Sequence, residues 1–210
     1  VSATPETGPS STTEPTSSTP VRRYWSQCIR NDGTWRIDPK NGALAKAPGE
    51  DLAALRSGLG QPAGTVPALW PFYTSHSDGQ VTPELEAEHA ALSLYGLHQQ
   101  SQPHPMHKRG VGLGAALRDL RHDDRFSTEA VDRRVAAAVN TTSVAALVYR
   151  LRGLITQLRS VKAPLDYDQL LQDIKNWHYP ESRRRVRRTW GLAYHSWNAR
   201  PVKQSPDNVS

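Results

Sequence analysis

The sequence predicts a compact all-α helical bundle, and three observations carry that reading. From about Thr82 onward, apolar residues recur at helical spacing almost without a break. Start and stop signals punctuate the pattern: Thr82-Pro83, Ser127, Asp166 and a closing Pro164. No stretch alternates apolar and polar residues as a strand does, and no long-period repeat is present.

Taken in order, the chain begins with "VSATPETGPSSTTEPTSSTP", almost all Ser, Thr, Pro, Glu and small residues. Such a tract buries too little apolar surface to offset its ordering entropy, so residues 1–21 read as a disordered tail. It has neither the basic start nor the apolar core of a signal peptide. In "VRRYWSQCIRNDGTWRIDPKNG" a short helix is expected before a turn at Asp32-Gly33. A second short helix fits "GEDLAALRSGLG", where Leu52, Leu55 and Leu59 align.

The next segment, "TPELEAEHAALSLYGLHQQ", has Thr82 as N-cap and Pro83 at the first helical position, where a missing N–H costs nothing. The polar "SQPHPMHKRG" reads as a flexible loop. After it, "VGLGAALRDLRHD" sets Leu113, Leu117 and Leu120 on one face. Ser127 then caps "TEAVDRRVAAAVN", whose stripe is Val131, Val135, Ala138 and Val139. The clearest helix is "SVAALVYRLRGLITQLRSVKAP", with Val144, Leu147, Val148, Leu151, Leu154, Ile155 and Leu158 in register. In "LDYDQLLQDIKNWH", Asp166 and Gln169 form a capping box, with Leu165 and Leu170 as its staple. The last helix sets Val186, Trp190, Ala193 and Trp197 inward. The expected domain is 22–200, followed by a flexible tail over 201–210.

Charge narrows the function class. The net charge is +6, and residues 1–20 contribute two acids and no base, so the helical part is more basic still. A basic domain of this kind points to an anionic polymer. The single cysteine, Cys28, can form no disulfide within this chain and fits a reducing cytoplasm. No segment approaches the roughly 18 unbroken apolar residues of a membrane span, so no membrane partner is expected.

Motifs for catalysis are weak. "GVGLG" (Gly110, Gly112, Gly114) follows a loop rather than a strand, so helix entry explains it better than a nucleotide site. His98, His104 and His107 lie close in sequence but beside two positive charges. A helical metal-dependent phosphohydrolase could use His122-Asp123, but lacks a matching set of inward ligands. No triad or carboxylate pair stands out. The chain reads as no enzyme, with no catalytic residue, metal or cofactor.

The arginines form a pattern instead. Relative to the stripe of 127–140, Arg133 points away, and Arg134 sits at its border, about 80 degrees off. Arg152 and Arg159 share one flank of the long helix and Arg150 takes the other; Arg118 and Arg121 neighbour the Leu117/Leu120 edge. Placing Arg beside a core edge presents planar forks to phosphate oxygens. In "ESRRRVRRTW" the charges nearly encircle the helix, with Arg184 and Arg188 outward, Arg185 and Arg187 on opposite flanks and Arg183 near the inner edge. One surface cannot use them all, so they divide between nucleic acid and protein contacts.

The collinear series "DLAALRSGLG", "ALSLYGLHQQ", "VGLGAALRDLR", "VDRRVAAAV", "LVYRLRGLITQLRSVKAPLDYDQLLQDIKNW" and "RRVRRTWGLAYH" resembles the small subunit of type I-E CRISPR Cascade, the CasB family. "DGTW" and "PALWPFYT" look like its longer actinobacterial members. The resemblance implies an all-helical, non-catalytic subunit, present in two copies in an RNA-guided surveillance complex. Its partners would be guide RNA, the target and non-target DNA strands, and the backbone and large subunits. It implies phosphate-contacting roles for Arg56, for the pair Arg133 and Arg134, and for Arg152. Ser57 and Gly153 stand where the family pattern has a second Arg. The nucleic-acid-binding candidates are then Arg56, Lys108, Arg109, Arg118, Arg121, Arg133, Arg134, Arg152, Arg159, Lys162, Arg184, Arg185 and Arg188. The rival among binding proteins is a free-standing basic helical regulator of transcription, for which no helix-turn-helix spacing is present.

Overall fold

In the computed structural model the described residues are 22–30 and 32–196, and they fold as an all-α protein. The tails expected at 1–21 and 201–210, and Trp197, lie outside the described residues.

The helix at Pro83–Gln99, α3, organises the fold, because it is apolar or small nearly all round and is buried along most of its length. Three helices pack on it: α2 (Gly49–Arg56), α6 (Val144–Ser160) and α7 (Tyr167–Trp177). A second layer forms where α4 (Leu113–Arg121) meets α5 (Thr128–Val139), α6 and α8 (Pro180–Tyr194). The expected stripes supply the core. Leu113, Leu117, Leu120, Val131, Leu147, Leu151, Leu154, Ile155 and Leu158 are all buried, and Val135, Val139 and Val148 pack half-buried at its border.

Caps fall where the sequence set them. The hydroxyls of Thr82 and Ser127 accept the N–H groups of Leu85 and Ala130, and Asp166 accepts those of Asp168 and Gln169. Each is worth about 1 kcal/mol. Only half of the expected capping box forms. The Asp166 N–H donates to the Val111 carbonyl at 2.7 Å rather than to Gln169. Residues 106–111 run beside Leu165, with Leu165 N–H on Met106 O at 2.9 Å and Lys108 N–H on Leu165 O at 3.1 Å. That ladder corrects the flexible-loop reading of "SQPHPMHKRG": Pro105, Met106 and His107 are buried.

The N-terminal part is built as expected up to a point. A single helical turn, α1 (Tyr24–Gln27), precedes a turn at Gly33 (φ 82°). The bridges Ile29–Trp35 and Ile37–Leu44 fold this segment back on itself. A 3₁₀ helix at Pro67–Phe72, with Pro71 inside it, was not anticipated.

One buried carboxylate gives a pH-dependent prediction. Asp173 on α7 accepts the indole N–H of Trp190 at 2.7 Å. Burial pushes its carboxyl up to about 6, the Trp190 bond opposing and Asp166 adding to the rise. The folded state therefore holds this proton more tightly than the unfolded chain. The contribution of Asp173 to stability falls as pH rises from about 4 to about 6 and is level above that. Asp173→Asn keeps an acceptor for Trp190 and removes the charge. It is expected to stabilise the protein by roughly 2 kcal/mol at pH 7.5, or about 4–8 °C in Tm. Thermal melts at pH 7.5 and pH 4 check this, and the gain should vanish at the lower pH.

Candidate nucleic-acid interface

The connection from α4 to α5 and the outer faces of α5 and α6 enclose an open groove of about 760 Å³. It forms because α5 turns only Val131 and Ala138 fully inward, leaving the polar residues of its other faces unburied. Arg125, Arg134, Arg150 and Arg152 line the groove, together with Tyr149 and Phe126, and no Asp or Glu does. The two arginines that the sequence placed beside separate core edges, Arg134 and Arg152, thus face one space.

Arg134 and Arg152 are exposed, and their guanidinium groups have no hydrogen-bond or ion-pair partner among the described residues. Arg150 lies over the Tyr149 ring, 5.7 Å from its centroid, and Tyr149 is 71% exposed. Arg125 forks onto Asp123 at 2.8 and 2.9 Å and donates to the Ser160 carbonyl at 3.0 Å. Those bonds pull the Asp123 carboxyl down to about 2. The groove therefore offers phosphate donors on both walls and an exposed ring on which a base can stack.

Other candidates are spent on the protein itself. Arg121 forks onto Asp132 at 2.8 and 3.2 Å and lies over the Tyr194 ring, tying α4 to α5 and α8. Arg159 turns to the end of α3, donating to the Leu97 carbonyl at 3.3 Å and to Gln100 at 3.0 Å, so it does not share a surface with Arg152. Arg118 reaches Ser196 and Asp119. Arg133 is exposed on α5 but does not line the groove, and Arg56 ends α2, half-buried and away from it. Lys108, Arg109 and Lys162 do not line the groove and lie instead around the Gly33 turn.

The arginine run of α8 splits by helical position. Arg183 and Arg187 point inward and donate to backbone carbonyls of Thr142 and Thr141 at 2.6 Å each, where α5 ends and α6 begins. Arg187 also stacks over Trp177, 5.3 Å from its centroid. Arg184 pairs with Glu181 at 3.0 Å and Arg185 bonds Ser182 at 2.9 Å, both on the exposed face with Arg188. Sequence reading missed Arg125, Arg150 and Tyr149 as groove residues. Their signal was adjacency to the "RFS" cap and to the "YRLR" flank, which becomes informative only once α5 and α6 are known to pair.

His98, His104 and His107, close in sequence, take separate environments in the fold. His98 is buried against the Tyr167 hydroxyl at 3.0 Å, and burial drives its ring down to about 3. His104 is exposed, and His122 bonds the Arg118 carbonyl at 2.8 Å. Among the described residues, donor atoms of His107, Asp166 and Asp168 do gather within 4.8 Å. That group is occupied in capping: Asp166 also accepts the Gly110 N–H at 2.7 Å, and the His107 Nδ1 accepts the Tyr167 N–H at 3.1 Å. The glycine motif is structural too. Gly110 adopts φ 81° at the turn, and Gly114 lies where α4 touches α8.

Residues 51–195 match the model of the CRISPR-associated protein Cse2 family, a span that runs from within α2 to the end of α8 and holds the whole groove. The chain belongs to the Cse2, or CasB, family. Its similarity to CasB from Thermobifida fusca is 31% in sequence, with a TM-score of 0.59 over 70% of this chain and 85% of that one. CasB from Thermus thermophilus is 26% identical, with a TM-score of 0.54 over 69% and 84% of the two chains. A chain of a CRISPR RNA-guided surveillance complex, 21% identical, shares the fold with a TM-score of 0.53 over 71% and 82%. No curated protein matches the chain. The Cse2 match starts after residue 50, so α1 and the bridged segment lie ahead of it. Among the described residues no helix is long and apolar enough to cross a membrane.

Proposed function

We propose that this Cse2-family chain is the non-catalytic small subunit of a type I-E Cascade complex in the cytoplasm, and that its α5–α6 groove grips nucleic-acid backbone. One observation carries the reading: Arg134, Arg150 and Arg152 converge on a groove that no carboxylate lines. In the complex the groove holds a strand of the R-loop, where guide RNA pairs with target DNA and the non-target strand is displaced. The exchange of a DNA duplex for an RNA–DNA heteroduplex is nearly balanced in energy, so a few backbone contacts tip it. Such contacts need charge and stacking surfaces rather than base-reading geometry. The partners are the guide RNA, both DNA strands, the backbone and large subunits and a second copy of the chain.

The test is target-DNA binding by the assembled complex carrying Arg134→Ala with Arg152→Ala. Affinity should fall at least about tenfold for every target sequence. The slope of log affinity against log salt should flatten by roughly 1.5. An unchanged slope would remove these two residues from the phosphate contacts. Sequence-specific duplex binding by the chain alone would favour a regulator instead.

A further inference from the structure

A second basic pocket lies outside the groove and largely outside the Cse2 match. Residues 22–45 are fastened to the body at several points. Trp25 is fully buried, and its indole N–H donates to Asp168 at 2.8 Å. Arg23 pairs with Glu84 and Glu88, and the Trp35 indole donates to the Pro103 carbonyl at 2.8 Å. Anchoring of this kind fixes what the segment shows to solvent. Its arginines Arg22, Arg23, Arg30 and Arg36 join Arg109 around a cavity of about 340 Å³, with His107, Ser26 and Asp168 in its wall.

The donors there are largely uncommitted. Arg22 and Arg30 are exposed and make no side-chain hydrogen bond or ion pair with the described residues, although Arg30 lies in electrostatic reach of Asp32. Arg36 spends only its Nε–H, on the Ile29 carbonyl at 2.9 Å, and Arg109 approaches Asp168 only to 3.7 Å. His107 is 2% exposed. Because its Nδ1 accepts a backbone N–H, the proton of the neutral ring sits on Nε2, on the side of Ser26 and Asp168, which also line the cavity. Its contacts on that side are long, 3.5 Å to the Ser26 hydroxyl and 3.7 Å to Asp168. A buried donor thus lies in the wall of a space rimmed by guanidinium groups. One carboxylate, already bonded to Trp25, is the sole acid in the wall. Asp166 and Asp168 both approach His107, but Trp25 and backbone N–H groups engage them, and the surrounding arginines suit an oxyanion, which planar Arg forks grip in pairs.

We infer that this cavity is a phosphate-binding site, formed by the segment ahead of the Cse2 match, that takes a backbone phosphodiester of a nucleic-acid strand. It rests on the reading that the chain meets nucleic acid, but it is a separate contact from the groove. Five arginines line the cavity, and the four not paired with Glu84 and Glu88 offer planar forks that suit the regularly spaced charge of a phosphodiester strand.

The experiment uses the full chain and a 15-residue oligothymidine, with inorganic phosphate as competitor. The surface variant Arg22→Gln/Arg30→Gln/Arg109→Gln is compared with Arg134→Ala/Arg152→Ala and with all five changes together. The first variant should weaken binding about tenfold and flatten the salt slope by roughly 2, and its loss should add to that of the groove variant. Millimolar phosphate should shift the His107 Nε2–H resonance in the parent and not in the triple variant. If the triple variant binds with parental affinity and slope while the groove variant does not, the proposal fails and the groove stands. If neither variant changes binding, both readings fail. A triple variant that keeps oligothymidine but loses a protein subunit of the complex would overturn the proposal in favour of an acidic protein partner.

Discussion

Replacing Gly114 with alanine is expected to destabilise the protein by about 3 kcal/mol and lower Tm by roughly 6–12 °C. A Cβ there would lie 2.5 Å from the Trp190 carbonyl oxygen and 2.9 Å from the Ala193 Cβ. The first of these is backbone, so no rotamer change relieves the contact; α4 and α8 must move apart. Their separation would also disturb Trp190, which stacks on Trp177 at 5.3 Å. Gly153→Ala provides the control, because a Cβ at Gly153, in the middle of α6, meets nothing within 4 Å. That change should raise stability by about 0.5–1 kcal/mol, since alanine loses less backbone entropy in a helix. Thermal melts of the two variants therefore move in opposite directions. Equal shifts would mean that helix propensity, not the α4–α8 contact, governs Gly114.

The second large effect falls on Glu88, the buried anchor of the N-terminal segment. Its carboxylate accepts the backbone N–H groups of Thr74 and Ser75, the Thr74 hydroxyl and the Arg23 guanidinium. Burial raises its carboxyl, but the bonds from Thr74, Ser75 and Arg23 outweigh that and hold it below the usual range. Glu88→Ala leaves those donors facing a void and is expected to cost about 3–5 kcal/mol. Glu88→Gln, which keeps the shape and one acceptor, should cost less. The sign with pH follows from the lowered folded value. The contribution is present above the ordinary carboxylate range and is lost as pH falls through the folded pKa. The difference in Tm between parent and Glu88→Ala should therefore shrink in acid. A difference independent of pH would point to lost packing alone. Trp25 fluorescence offers a second readout, because loosening the segment exposes an indole that is now fully buried.

Much of the fold was legible because helices announce themselves locally. The stripe Leu147, Leu151, Leu154, Ile155 and Leu158 repeats every turn, and Thr82, Ser127 and Asp166 carry their own acceptors to the first free N–H groups. The Pro67–Phe72 turn and the pinned 106–111 loop were not, since backbone bonds to residues some sixty positions away hold the latter.

For the candidate interface the division is sharper. Composition and periodicity alone determined a basic helical protein with arginines beside its core edges. Which arginines remain available was decided by tertiary structure. Arg121 and Arg159 have the same sequence credentials as Arg134 and Arg152, yet Asp132 and the end of α3 claim them. In "ESRRRVRRTW", Arg183 and Arg187 are four residues apart on one helix face, and that face happens to meet the carbonyls that end α5. An arginine's long side chain finds whatever acceptor lies within its reach. Helical periodicity fixes the direction in which that reach extends, but only the packing of distant segments places a carboxylate, a carbonyl or open solvent at its end.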